Sequence, residues 1–229
     1  MGFPEIGKAA NLLHSLNPAY VAPPGGDLDL IYRDESLIVV NKPAGLLAVP
    51  GRGAGKQDCL ASRVQAEFPD ALIVHRLDMA TSGLLLFARG AEMQRRLSYL
   101  FRERLVAKRY VAVVSGRLEQ LAGEIDLPLM RDWPNRPRQK VDFASGKPSL
   151  TRYRVLAHDA GTGTSRVELE PVTGRTHQLR VHLAAVGHPI LGDALYGEEA
   201  ERLLLHARSL NFAHPLNAAP LTWVCEPPF

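Results

Sequence analysis

The 229-residue chain predicts an α+β fold: a mixed, largely antiparallel sheet with flanking helices. Three observations carry this. Short apolar or alternating runs outnumber amphipathic ones, and they come without regular crossover helices between them. The composition, 46% hydrophobic and 22% charged, is that of an ordinary packed domain. A chain of this length buries roughly 70% of its unfolded surface and needs no disulfide or metal staple.

Residues 1–27 contain a charge-free stretch, 9–26, that holds Asn11, His14, Asn17 and three prolines. That pattern fits neither a membrane helix nor a signal segment, so 1–27 reads as a loosely ordered N-terminal arm and 28–229 as one domain. Segments 28–33 and 37–41 predict strands, followed by the Pro/Gly-rich loop NKPAGLLAVPGRGAG. Leu60, Val64 and Phe68 at four-residue spacing predict a helix over 58–68. Segments 72–76 and 84–89 are apolar runs joined by DMATSG and predict strand, loop, strand. Over 91–104, Met93, Leu97, Leu100 and Phe101 form one helical stripe, with Arg95, Arg96 and Arg102 off it.

Residues 108–115 alternate and are rich in Val and Tyr, which predicts a strand, as do 151–157 and 166–171. Between them, DWPNRPRQK carries two prolines and predicts an extended or turning path. Leu179, Leu183 and Val186 place a helix over 176–186, with Gly187 at its C-terminal stop. Residues 203–212 and 221–224 complete the strands.

The formal net charge is only +3, from 27 Lys/Arg against 24 Asp/Glu, yet the charge is unevenly spread. Residues 76–154 hold 16 basic and 8 acidic side chains. In this block Tyr99, Phe101, Arg102, Arg104, Lys108, Arg109 and Tyr110 interleave rings with cations, as do Arg131, Trp133, Arg136, Arg138 and Lys140. Such a surface suits unpaired nucleotides, with cations on phosphates and rings on bases. A merely solvated basic face explains the charge alone equally well.

Several familiar chemistries fail on spacing. GRGAG followed by Lys56 lacks both the first glycine and the final hydroxyl of a phosphate loop. His177 and His182 lie five apart, with no H-E-x-x-H, so no metal is expected. Cys59 and Cys225 form neither a C-x-x-C pair nor a zinc set, which points to a reducing cytoplasmic setting. By contrast, VHRLDMATSG runs an apolar strand into a loop that carries Asp78. A lone loop Asp usually caps its own turn, here through Thr81 or Ser82, and escapes that reading only with a partner. GRTHQLR offers Arg175 and Arg180 as guanidinium partners.

NKPAG, HRLDMATSG, KRYVAVV, GRTHQLR, HPILGD and LLLHA stand in the order and approximate spacing of a known family. From about residue 28 to the end, the chain resembles the RluA-family pseudouridine synthases. The resemblance implies the catalytic fold of those enzymes and isomerisation of uridine to pseudouridine in RNA without a cofactor. DLPLMRDWPNRPRQKV further resembles the short members that modify large-subunit rRNA and a tRNA anticodon stem-loop; other rRNA or tRNA sites stay open. RNA is then the partner, with no membrane and no obligatory protein partner.

As the resemblance implies, Asp78 is the catalytic carboxylate, Arg180 its ion-pair partner and Tyr110 the active-site tyrosine, through stacking or late proton transfer. Arg76, two residues before Asp78, would share its face on a strand and fill the space left by a flipped base. His75, Leu204 and Leu205 complete the expected substrate-binding set, the leucines as a dry wall around uracil. A noncatalytic RNA-binding protein is the alternative from another class, and a DNA-binding regulator a third; keeping Asp78, Tyr110 and Arg180 together favours the enzyme.

Overall fold

The computed structural model describes residues 20–229. In chain order the strands are β1 (Leu30–Arg33), β2 (Leu37–Lys42), β3 (Ala71–Ile73), β4 (Ser82–Arg89), β5 (Ala107–Ser115), β6 (Ala122–Asp126), β7 (Leu129–Arg131), β8 (Gln139–Val141), β9 (Leu150–Asp159), β10 (Thr164–Pro171), β11 (Leu205–Ala213) and β12 (Pro220–Val224). The helices are α1 (Leu60–Glu67), α2 (Gly90–Arg102) and α3 (Gln178–Ala185). One sheet runs β1-β2-β4-β11-β5-β10-β9-β6, with β3 on β4 and β12 on β11, while β7 and β8 form a separate hairpin. Within it β4 and β11 pair in parallel and the other pairs run antiparallel, the mixed α+β sheet expected.

The apolar runs of β2 and β4 are buried on both faces. Ile38, Val40, Leu85 and Phe87 pack with Leu60 and Val64 of α1 on one side; Leu37, Val39, Leu84 and Leu86 pack with Met93 and Leu97 of α2 on the other. Continuous LIVV and LLLFA runs, instead of strict alternation, follow from this two-sided cover. The third core lies under the other half of the sheet, where Ala112, Val114, Val167 and Leu169 meet Leu179 and Leu183 of α3. Tyr110 touches both this core and the α1 core, so it stands where the halves meet.

Local capping agrees with the sequence. Cys59 opens α1 with a reciprocal box, its sulfur accepting from Ser62 N–H and its own N–H donating to Ser62 Oγ. Gly187 follows α3 with φ +87°. The 51–57 loop closes on itself: Gly51 N–H donates to Lys56 O, and the Gln57 amide bonds Gly51 O and Gly53 O.

The structure also corrects several expectations. DWPNRPRQK is the tip and second strand of the β7–β8 hairpin, and β6 lies just upstream; neither was predicted. The strand expected over 72–76 ends at Ile73, leaving both Arg76 and Asp78 in the loop before β4. Helix α3 starts at Gln178, two residues later than expected, and Val186 falls at its C-terminal cap, exposed and off the buried stripe of Leu179 and Leu183. Residues 1–19 of the expected N-terminal arm lie outside the described residues. Tyr20 and Pro23 are held to the domain: Tyr20 Oη bonds Asp58 O and Leu47 N–H, and Arg63 donates to Pro23 O.

Gly83 pairs with Ala207 in the parallel contact that joins the halves, with φ +113° and an added Cβ lying on the backbone of Ala207. Gly83→Ala therefore costs about 3 kcal/mol, a Tm loss of about 6–12 °C in a thermal melt.

Candidate active site

A cleft of about 480 Å³ opens at the junction of the two halves. Its walls come from the 75–81 loop, the end of α2, β5, the segment leading into α3, and Leu205 at the start of β11. Asp78 is the sole carboxylate among the lining residues and is four-fifths buried.

The 75–81 loop is held from behind by Lys42. This lysine is fully buried, and its ammonium donates to Pro43 O, Leu46 O and Met79 O, so its three N–H groups meet three carbonyls. Gly45 N–H adds a bond to Met79 O. Burial pulls the Lys42 amine down to about 7, against the opposing pull of the Asp78 charge. Thr81 N–H bonds the backbone carbonyl of Asp78, not its side chain, and Ser82 Oγ turns instead to His206 Nδ1 and Arg202. The turn-capping reading of Asp78 is therefore excluded: its carboxylate is left to face the cleft.

Arg180 lies within α3 and is buried. Its first partner is not Asp78. Nε and one terminal nitrogen grip Asp193 at 2.8 and 2.6 Å, and the other terminal nitrogen stands 3.5 Å from Asp78 Oδ2. Asp193 is itself fully buried and accepts from the N–H groups of Leu195 and Tyr196. The Tyr196 ring centroid lies 5.2 Å from the guanidinium carbon. A planar guanidinium held along one edge and over one ring has its remaining nitrogen aimed at Asp78. Its charge is reinforced by Asp193 and then Asp78, against the cost of burial.

The other expected residues divide. Tyr110 lines the cleft beside Leu205, and burial, with the Asp78 charge, raises its phenol above the ordinary value, so it is protonated at neutral pH. Arg76 lines the mouth and is exposed, but from a loop and not from a strand face shared with Asp78. His75 lines the cleft with its ring already engaged: Nε2 accepts from Leu86 N–H and the ring stacks on Phe101 at 4.4 Å. Burial lowers His75 to about 3, so it is neutral. Leu204 is a correction, because it lies outside the cleft lining; its backbone bonds Val113 of β5 and Leu191 in the turn after Ile190. Arg175 lines the cleft but turns to Pro148 O, not Asp78.

Sequence reasoning missed Lys42, Asp193, His177 and Tyr196. All sit inside or beside motifs already singled out, NKPAG, HPILGD and GRTHQLR; what was lacking was the geometry that pairs them. His177, weighed only as a metal ligand, places Nε2 3.9 Å from Asp78 Oδ1. The rim carries Arg76, Arg104 and Lys108, for which the described residues supply no carboxylate partner within 4 Å.

Two outcomes are expected. Arg180→Met strands Asp193 as a buried unpaired anion and lowers stability by about 3–5 kcal/mol in denaturant titration. Asp78→Asn removes the charge that favours the Lys42 ammonium, so the Lys42 amine titrates lower than in wild type when followed by NMR of ε-labelled lysine.

The chain matches the family model described as RNA pseudouridylate synthase over residues 36–185. It is 50% identical over 205 residues to the dual-specificity RNA pseudouridine synthase RluA of Yersinia pestis, covering 87% of this chain and 99% of that protein. The Escherichia coli K12 protein of the same name is 49% identical over 201 residues, covering 86% and 91%. Among solved structures, human RNA Pseudouridylate Synthase Domain Containing 1 superposes with a TM-score of 0.74 at 33% identity, covering 90% of this chain and 87% of that one. The cleft with its single recessed carboxylate and the sequence likeness converge: this chain belongs to the RNA pseudouridylate synthase family and is an RNA uridine isomerase.

Proposed function

We propose that Asp78 is the reacting carboxylate, that Arg180 keeps it ionised and aimed, and that Tyr110 and Leu205 receive the flipped uracil. The observation that carries this reading is the Arg180 nitrogen 3.5 Å from an otherwise unbonded Asp78 carboxylate inside the cleft. The isomerisation breaks N1–C1′, turns the uracil and forms C5–C1′. C5 then loses its hydrogen and N1 gains a proton, so no electrons are exchanged. A carboxylate at this depth can attack C1′ or C6, or take a C2′ proton, and in each route it must be ionised and shielded from water. Desolvation alone would protonate it, and the guanidinium counters this.

Tyr110 offers its ring face to the base and a protonated hydroxyl beside it. Tyr110→Phe separates the two: RNA affinity holds in either case, and C5–H loss stops only where the hydroxyl carries the proton. Arg76, which lines the mouth, fills the space vacated by the extruded nucleotide in this reading. Arg104 and Lys108 at the rim suit the flanking phosphates.

The RNA substrates follow from the relatives named for dual specificity. We assign the chain to a uridine in large-subunit rRNA and one in a tRNA anticodon stem-loop, modified in the cytoplasm without a cofactor or an obligatory protein partner. The β7–β8 hairpin supports a structured-RNA target: Trp133 is exposed, with the Arg131 and Arg136 guanidinium carbons 4.8 and 5.4 Å from its ring centroid.

Tritium release from C5-labelled uridine tests the assignment. Both RNAs release tritium with wild-type protein and neither does with Asp78→Asn; release from one RNA alone would limit the specificity. In a salt series, Lys108→Ala and Arg104→Ala weaken binding of both RNAs alike, and each flattens the slope of log affinity against log salt by about 0.7–1.

A further inference from the structure

Gln139, Tyr196 and His177 form a hydrogen-bonded chain that starts in the hairpin and brings the far ring nitrogen of His177 to face Asp78. Tyr196 Oη lies 2.7 Å from the backbone nitrogen of Gln139 in β8 and 2.7 Å from His177 Nδ1. Arg138 adds a second hairpin contact, its guanidinium 5.4 Å from the Tyr196 ring centroid. His177 Nε2 then faces Asp78.

Proton counting fixes the direction of this chain. The Gln139 amide can only donate, so it occupies a lone pair of the phenol oxygen. The phenol has one proton, and His177 Nδ1 is the acceptor found for it among the described residues. With Nδ1 accepting, a neutral imidazole carries its proton on Nε2, toward the carboxylate. The opposite tautomer would set a lone pair against Asp78 and leave the phenol proton without that acceptor. Burial, the largest influence on His177, favours the neutral ring. The backbone also speaks for a held position: His177 adopts φ +54° and ψ +17°, a left-handed conformation that a non-glycine residue keeps where its surroundings over-determine it.

We propose that His177 is a positioning residue for Asp78, fixed as the Nε2–H tautomer by Tyr196, and that the hairpin's seating on Tyr196 thereby sets the reacting carboxylate. The inference rests on Asp78 being that carboxylate. It assigns a purpose to the αL histidine and makes the basic hairpin part of the site's alignment as well as of RNA binding. At 3.9 Å the two groups are not hydrogen-bonded, and the positioning role requires that the contact shorten with substrate in the cleft, as contacts in empty active sites commonly do.

The full-length chain with 15N-labelled histidine supplies the test. In wild type, the His177 ring shows a protonated Nε2 and a pyridine-like Nδ1; in Tyr196→Phe that preference weakens. Tyr196→Phe and His177→Leu each slow single-turnover tritium release by about 10- to 100-fold while RNA affinity stays within about twofold. His177→Gln, which restores an N–H donor, recovers part of the rate. A wild-type Nδ1–H tautomer, or an unchanged rate in both Tyr196→Phe and His177→Leu, would overturn the proposal. Should Tyr196→Phe fail to fold, the wild-type spectrum and the His177 pair still decide. Loss of release in Asp78→Asn with no effect at His177 or Tyr196 rejects this inference and leaves the assignment of Asp78 standing.

Discussion

The site depends on one buried guanidinium. Arg180 joins three segments that are far apart in sequence: the 75–81 loop through Asp78, α3 through its own backbone, and the turn after Ile190 through Asp193. Two carboxylates share one cation, and the sharing is unequal. Asp193 takes the bidentate grip and is fully enclosed, while Asp78 receives the remaining nitrogen from farther away. This inequality lets a single charge do two jobs. The strong pair fixes the guanidinium, and the weak one leaves the Asp78 carboxylate facing the cleft. A direct bidentate bond to Asp78 would have engaged both of its carboxylate oxygens with the protein.

Around that pair, cations are divided by solvation. Lys42 and Arg180 are buried and saturated by carbonyls or carboxylates, so they serve the loop and the carboxylate. Arg76, Arg104 and Lys108 line the cleft, with no carboxylate within 4 Å of them among the described residues, and burial together with neighbouring Arg104 lowers the Lys108 amine. Charge left uncompensated at a rim is available to phosphate, whereas charge compensated in the interior holds shape. The modest net charge of +3 conceals this division.

Much of the fold was legible because its signals are local. Helices α1 and α2 announce themselves by four-residue spacing, and β2, β4, β5, β9, β10 and β11 by apolar or β-branched runs. The β7–β8 hairpin escaped because each strand is three residues long and the tip holds two prolines; β6, AGEID, has glycine and two acids where a strand pattern would want apolar residues. In the site, Asp78, Tyr110, Arg180, Arg76, His75 and Leu205 do share one cleft. What could not be read was who holds whom. The Arg180–Asp193 pair crosses a loop, and a fully buried lysine such as Lys42 runs against the usual exposed fate of that residue type. Of the two leucines expected at the cleft only Leu205 lines it, because Leu204 lies just before β11 with its backbone bonded to Val113 and Leu191.

The most direct test of the account is a structure of this protein with a stem-loop RNA that carries 5-fluorouridine at the target, because fluorine at C5 blocks the final loss of hydrogen and holds the nucleotide in the site. The account predicts the base against Tyr110 and Leu205, with the Asp78 carboxylate at the sugar or base ring and Arg180 still gripping Asp193. A nucleotide held outside this cleft, or Asp78 turned away from it, would contradict the account.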